Sequence, residues 1–345
     1  MTINDSGFLA LREHSSYANR WLNAQPSWLA DLAGRVVAPI DERVIDDILS
    51  EAQILLSQQP INLEAFSSQL RLARQRFMLL TAYRDLNELA DLKEVTEGIS
   101  LFAEKAIAIS IEALRIDMKP LVGEPLSVDG TYVPLMVVGM GKLGGRELNV
   151  SSDIDLVFVY EDEGDTQGGT KSISHHEWYT RLGKKLISLL SELTAEGFVF
   201  RVDMRLRPNG DSGPLVCSLG MLEEYFSVQG REWERYAWIK GRMIYPPEQD
   251  STYPRLFKGL QDLVRPFVYR RYLDFGVIAA IRELHGQIQQ EAEKRSLAHP
   301  ERAADIKLGR GGIREIEFMA QMFQLVRGGQ DPGLRIRPTL EVLNA

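Results

Sequence analysis

The chain of 345 residues holds one cysteine, Cys217, so an internal disulfide is excluded and a reducing compartment suits it. It has no run of eighteen apolar residues, and no charged segment followed by an apolar stretch opens it. The expectation is therefore a cytoplasmic protein with no membrane partner. A basic excess is also missing: 40 Lys and Arg stand against 48 Asp and Glu, a net charge of −8. That balance argues against nucleic acid as the main partner, although a local basic cleft for a small nucleotide remains compatible with it. Zinc-ligand spacing is absent around His14, His175, His176, His285 and His299, and no internal repeat or low-complexity tract occurs. What is present is ordinary globular composition, 44% hydrophobic and 26% charged, with length for two or three domains.

Residues 1 to about 120 read as helical. Val44, Ile48, Ala52 and Leu55 follow a 3.6-residue period behind a capping Asp41. Leu70, Phe77 and Leu80 form a second such face, and Phe102, Ala106, Ile107, Ser110 and Leu114 a third. The segment from Pro120 to Gly130 reads as a linker. After it, Pro134 to Tyr160 reads as a buried strand, a glycine-rich turn, and a second strand opening with Asp153 and Asp155. An acidic loop, Glu161 to Lys171, reads as a solvated lip. Ser174-His175-His176-Glu177 then matches a capping box, with Leu182, Leu186, Leu189 and Leu193 on one helix face and Gly197 as the stop. Phe198 to Arg207 reads as a third strand. From Met221 onward the pattern is helical, with turns near Pro246-Pro247 and Pro300. Arg337 to Ala345 reads as a helix start without a stop signal, the expectation being a piece of a longer polypeptide.

Asp153 and Asp155 lie two apart on a strand and so face one spot. Their repulsion, about 1 kcal/mol in water and about 4 at an effective dielectric near 20, calls for a cation between them. The glycines before them fit two nucleotide fingerprints only superficially. Gly139, Gly141 and Gly144 match the dinucleotide spacing, with Glu161 ending the next strand, but nine residues separate Gly144 from Ile154. A strand–helix–strand crossover needs at least about ten to twelve. The P-loop reading fails because Leu143 follows Lys142 where a Ser or Thr must hold Mg²⁺. A phosphate-cradling turn feeding the carboxylate strand remains, beside the plainer reading of a glycine hairpin without ligand.

In Arg201-Val202-Asp203-Met204-Arg205-Leu206-Arg207 the apolar residues alternate with charged ones. Val202, Met204 and Leu206 are expected to face a core and the four charged residues the other side. A solvated strand face is one reading. A third carboxylate flanked by phosphate-binding guanidiniums is the other, and it suits in-line displacement at phosphorus. Further on, Gly309, Gly311 and Gly312 precede a helix with Ile313, Ile316, Met319 and Ala320 on one side. Lys307 and Arg310 beside that turn offer an anion site, with ordinary surface charge as the competing reading. Trp233, Trp238 and Cys217 read as packing.

Five stretches in order resemble the glutamine synthetase adenylyltransferase family, whose members are bifunctional, adenylyl-transferring and adenylyl-removing. They are GMGKLGGRELNVSSDIDL, GFVFRVDMRLRPNGDSGPLV, GREWERYAWIKGR, RPFVYRRYLDF and IKLGRGGIREIEF. The likeness covers most of residues 60 to 345. DMRLRP with Met204, and WERYA with Arg235-Tyr236, are similar to the first, adenylyl-removing half. The resemblance implies an α+β fold: a DNA-polymerase-β-like nucleotidyltransferase core with a small mixed sheet, flanked by helical regions. The corresponding division is 1–120, 121–218 and 219–345. It further implies catalytic and metal-binding roles for Asp153, Asp155 and Asp203 with one or two Mg²⁺ ions. Nucleotide and phosphate contacts fall to Gly141, Lys142, Gly144, Gly145, Ser152, Arg205, Arg207, Lys307 and Arg310. The implied partners are adenylylated glutamine synthetase, a PII-type signal protein, inorganic phosphate and an adenine nucleotide. The implied reaction is phosphorolysis of an O-adenylyl tyrosine. Adenylyl transfer from ATP, and a non-catalytic regulatory module, are the alternatives.

Overall fold

The computed structural model describes residues 6–248, 250–270, 306, 307, 309 and 311–345, with isolated positions 279, 282, 283, 286, 290 and 294. Six helices come first: α1 (Ser6–His14), α2 (Ser16–Ala24), α3 (Trp28–Arg35), α4 (Glu42–Leu55), α5 (Leu63–Leu86) and α6 (Leu92–Val122). Asp41 caps α4 as expected, its carboxylate accepting from the Val44 amide at 3.0 Å. The three apolar faces read from the sequence are core: Ile48, Leu70, Phe77, Leu80, Phe102, Ala106, Ile107 and Leu114 are all buried.

The sheet follows, with β1 (Met136–Gly139), the one-turn α7 (Gly141–Gly144), β2 (Ile154–Tyr160), α8 (His175–Ser191), β3 (Val202–Asp203) and β4 (Val216–Ser218). Next come α9 (Leu219–Val228), α10 (Glu232–Trp238), β5 (Arg242–Tyr245), α11 (Pro254–Val268), α12 (Ile313–Arg327) and α13 (Thr339–Asn344). The strand order is β3-β2-β1-β5, with β4 also on β2. β1 runs antiparallel to β2 and β5, whereas β3 and β4 run parallel to β2. This small mixed sheet between helices is the α+β, nucleotidyltransferase-like architecture expected.

The two-residue period of the strands separates two cores. Val137, Ile154, Leu156, Phe158 and Tyr160 face the N-terminal helices and α8. Met136, Val138, Val157, Val159 and Cys217 face α9 to α12. A strand buried on both sides reads as a continuous apolar run, which is what VVG and LVFVY show.

Several expectations need correction. Residues 120–130 are not a free linker. Pro120 sits inside the last turn of α6, Glu124 is buried against Arg115 and Lys119, and Trp178 donates its indole N–H to the Gly123 carbonyl at 3.0 Å. The acidic loop is not simply a solvated lip either: Gln167 exchanges backbone hydrogen bonds with Glu124, and Thr166 is buried. Helix α8 stops at Ser191, so Leu193 falls beyond it and is exposed, while Gly197 closes a separate turn with Thr194. The third strand is only two residues long because the Asp203 carboxylate accepts the Arg205 amide at 2.9 Å and turns the chain. Strand β4, in a stretch given no element, and β5, in a region read as turn and helix, went unforeseen, and β5 brings the sheet a strand from beyond residue 218. On α12, Ile313, Ile316 and Met319 are exposed, and Phe318, Ala320 and Leu325 form the buried edge instead.

Candidate active site

Parallel pairing of β3 with β2 sets Ile154 opposite Val202 and Asp155 opposite Asp203. Asp153 precedes β2 on the side of Asp155, so all three carboxylates open on one cavity of about 720 Å³. The turn after β1 forms its near wall through Gly141, Lys142 and Ser152. Residues of α10 and α12 and Lys307 close the opposite side.

The three aspartates differ in their partners. Asp153 is paired with Arg201, which also donates to the Ser151 carbonyl at 2.7 Å. Asp203 accepts from the Arg205 guanidinium at 2.8 and 3.0 Å, and these hydrogen bonds hold its carboxyl below the usual range. Asp155, between them, forms no side-chain hydrogen bond or ion pair with a described residue. Burial, then the charges of Asp203 and Asp153, push its pKa up to about 6. Among the described residues no three His, Cys, Asp or Glu side chains stand in coordinating geometry, and Arg201 and Arg205 pair with the outer two carboxylates. The central one is nonetheless a half-buried carboxylate beside two others, an arrangement that a divalent cation relieves. The donor set, three carboxylates and no nitrogen or sulfur, fits a hard ion such as Mg²⁺.

Gly141 has a left-handed φ of +50°, and a β-carbon there would lie 3.1 Å from the Asp155 carboxylate. A side chain at this point would intrude on the carboxylate. Lys142 is partly buried, and desolvation followed by the charge of Lys307 lowers its pKa. Three residues expected with this group are elsewhere. A β-carbon on Gly144 would meet the Lys240 carbonyl at 1.8 Å, so Gly144 serves a close backbone contact. Gly145 opens on a separate groove, with Arg146, Arg242 and Arg337. Arg207 turns inward, donating to the Met204 carbonyl at 2.8 Å and pairing with Asp211 at 3.4 Å. Arg310 lies outside the described residues.

The cavity also contains residues that the sequence reading left unassigned: Asn149, Lys240, Arg314, Glu317 and Gln321. Trp233, read as packing, and Tyr236 line it too. Lys240 is buried and tied to Glu147 and to the Thr339 hydroxyl at 2.9 Å. A lysine between Trp238-Ile239 and Gly241 was the available signal, since lysine is seldom buried without a partner.

Comparison with known proteins agrees with this geometry. The model of a family described as glutamate-ammonia ligase adenylyltransferase matches residues 8–255. A second, GlnD PII-uridylyltransferase, matches residues 282–345. The chain is 56% identical to a bifunctional glutamine synthetase adenylyltransferase/adenylyl-removing enzyme of Burkholderia pseudomallei, over 99% of this chain and 37% of the relative. Proteins of the same description from Ralstonia nicotianae and Nitrosomonas europaea are 52% and 46% identical, each over 96% of this chain. The chain thus spans little more than a third of the length of these relatives. With all five strands of its sheet and the three aspartates inside the matched span, the chain belongs to the glutamate-ammonia ligase adenylyltransferase family.

Proposed function

We propose that this chain is the adenylyl-removing unit of such an enzyme. In this reading it transfers AMP from an O-adenylyl tyrosine of glutamine synthetase to inorganic phosphate, yielding ADP and free tyrosine. The observation that carries the reading is the pairing of Asp155 with Asp203 on adjacent strands, open to a cavity that also holds Lys142, Arg205 and Lys307. The similarity of DMRLRP and WERYA to the adenylyl-removing half selects this direction, and the cytoplasm is its setting. A PII-type signal protein is the proposed regulator, for which the uridylyltransferase match over residues 282–345 is the support.

The chemistry asks little of a general base. Attacking phosphate is already anionic, and the leaving phenol, with a pKa near 10, departs more readily than an alkoxide. The main obstacle is repulsion between two phosphates, which Lys142, Arg205 and Lys307 offset. Asp153, Asp155 and Asp203 would hold one or two Mg²⁺ ions. Bound Mg²⁺ supplies charge neutralisation on the phosphoryl oxygens and on the departing phenolate. To contribute Asp203, Arg205 must release it, and the same guanidinium is then free to bind phosphate. Ser152 and Gly141 sit where the nucleotide enters, and Trp233 and Tyr236 offer flat apolar surface for its base.

The test is incubation of the chain with adenylylated glutamine synthetase, phosphate and Mg²⁺. Release of ADP is expected. A folded chain that releases none refutes the assignment. Formation of pyrophosphate from ATP and unmodified glutamine synthetase instead establishes transfer in the opposite sense.

A further inference from the structure

A second cavity, about 330 Å³, lies between α11 and the β1–β5 side of the sheet. Trp238, Phe257 and Tyr269 give it aromatic walls, and Arg265, Arg335 and Arg337 project into the same space. None of its described lining residues is acidic, and none of the three arginines makes an ion pair with a described residue. Arg335 donates to the carbonyls of Gly328 and Gly329 at 2.6 and 3.2 Å and lies over the Tyr269 ring at 5.4 Å. Among the described residues Arg337 donates to the Gly241 carbonyl, at 3.0 Å. Desolvation, then Arg265, lowers the pKa of Arg335; desolvation, then Arg242, lowers that of Arg337. Asp331 and Glu248 act on them only from a distance.

Elsewhere in the described residues, several deeply buried cations have a carboxylate, and Arg74, which has none, is met by the Tyr17 hydroxyl and the Gln75 amide oxygen. Arg84 has Glu94, Arg242 has Glu104, Lys240 has Glu147, and Arg235 has Glu232. Here Arg337 is enclosed without an ion pair to a described residue, Arg335 is half-buried beside it and Arg265 is exposed at the rim. Desolvation of Arg337 and mutual repulsion remain unrelieved, although Arg335 and Arg337 also border the groove that holds Glu104 and Glu248. An oxyanion seated among the three guanidiniums removes both costs, because guanidinium forks match carboxylate and phosphate oxygens. The aromatic walls would cover an apolar body, and the volume falls in the range of small-ligand sites.

We propose that this cavity binds a small organic anion, its carboxylate or phosphate held by Arg265, Arg335 and Arg337 and its apolar body against Trp238, Phe257 and Tyr269. None of the three aspartates lines it, so it is separate from the active-site cavity. It stands independently of the reaction proposed above.

Calorimetric titration with phenyl phosphate and, in a second arm, benzoate tests this and distinguishes the two anion types. At least one should bind at millimolar concentration. Arg337→Gln should weaken that binding on the order of tenfold. Arg265→Gln, on the exposed face of α11, should weaken it roughly threefold without affecting folding. Lys307→Gln, in the active-site cavity, should leave it unchanged. Absence of binding by either probe overturns the proposal, as does binding lost only with Lys307→Gln. Should Arg337→Gln fail to fold, Arg265→Gln decides: equal affinity with and without Arg265 also overturns it.

Discussion

Two charged groups, one buried among the N-terminal helices and one half-buried in the sheet, show opposite solutions to the same physical problem. Arg84 on α5 is almost wholly enclosed and fully matched. It pairs with Glu94 at 2.7 Å and donates to the carbonyls of Val36 and Leu89, each at 2.7 Å. Asp155 on β2 is partly enclosed, has two like charges beside it, and has no described partner. A charge whose hydrogen bonds are complete joins α3, α5 and α6 into one unit. A charge whose needs are unmet is where the proposed function seats its cation. The helical layer is built to stay as it is, and the strand edge is built to change on binding.

The largest expected effect breaks the comparison at the sheet. Asp155→Asn should reduce adenylyl removal by at least about 10³-fold, measured as ADP released per chain at saturating Mg²⁺. Near-normal turnover would remove Asp155 from the chemistry. Next, Glu94→Ala leaves Arg84 buried and unpaired and should cost about 3–5 kcal/mol in urea unfolding, without touching the cavity. A loss below 1 kcal/mol would show that the helical layer does not depend on this pair.

Asp155→Asn should meanwhile stabilise the metal-free fold by roughly 1–2 kcal/mol at pH 8, because it removes a half-buried anion from between two others. The pH dependence has the same sign. With its pKa raised to about 6, the folded chain holds a proton on Asp155 at pH values where the unfolded chain has lost it. Its contribution therefore favours folding increasingly as pH falls through about 6. Protonation there should weaken Mg²⁺ binding over the same interval, which titration calorimetry at pH 5.5 and 7.5 can read. The smallest effect separates neighbouring arginines. Arg205→Gln should raise the KM for phosphate several-fold, whereas Arg207→Gln, whose side chain turns inward, should change it less than about twofold.

Much of this was legible in the sequence, for identifiable reasons. Helices α4, α5 and α6 declared themselves because apolar residues recur along one face of each; the other face of α4 meets water, whereas residues 65–84 of α5 and 94–118 of α6 are nowhere fully exposed. The two aspartates on β2 were legible from strand periodicity alone. The third was legible as a candidate, but its placement opposite Asp155 depends on a two-residue pairing that no local pattern encodes. Glycines were harder. Gly141 borders the cavity while Gly144 and Gly145, only three and four residues on, serve a backbone contact and a different groove. Only the tertiary position of Lys240 separates those roles. Strand β5 was missed because four residues, Arg-Met-Ile-Tyr, are too few to show a period. The exposed apolar stripe of α12 was misread because Gln321 and Gln324 take the buried edge, satisfied by the carbonyls of Tyr236, Leu334 and Ile336.

Strand β2 is flanked along one edge by two separate short partners, β3 against Ile154 and Asp155, and β4 against Phe158 to Tyr160. Between those anchors the backbone leaves the ladder over residues 204–215 and returns. Such a detour is fastened at both ends, so residues can be added or removed within it without sliding Asp203 past Asp155. The spacing of the carboxylates and the length of the loop carrying Arg205 are thereby uncoupled, and the reach of that loop can be altered while the paired carboxylates keep their register.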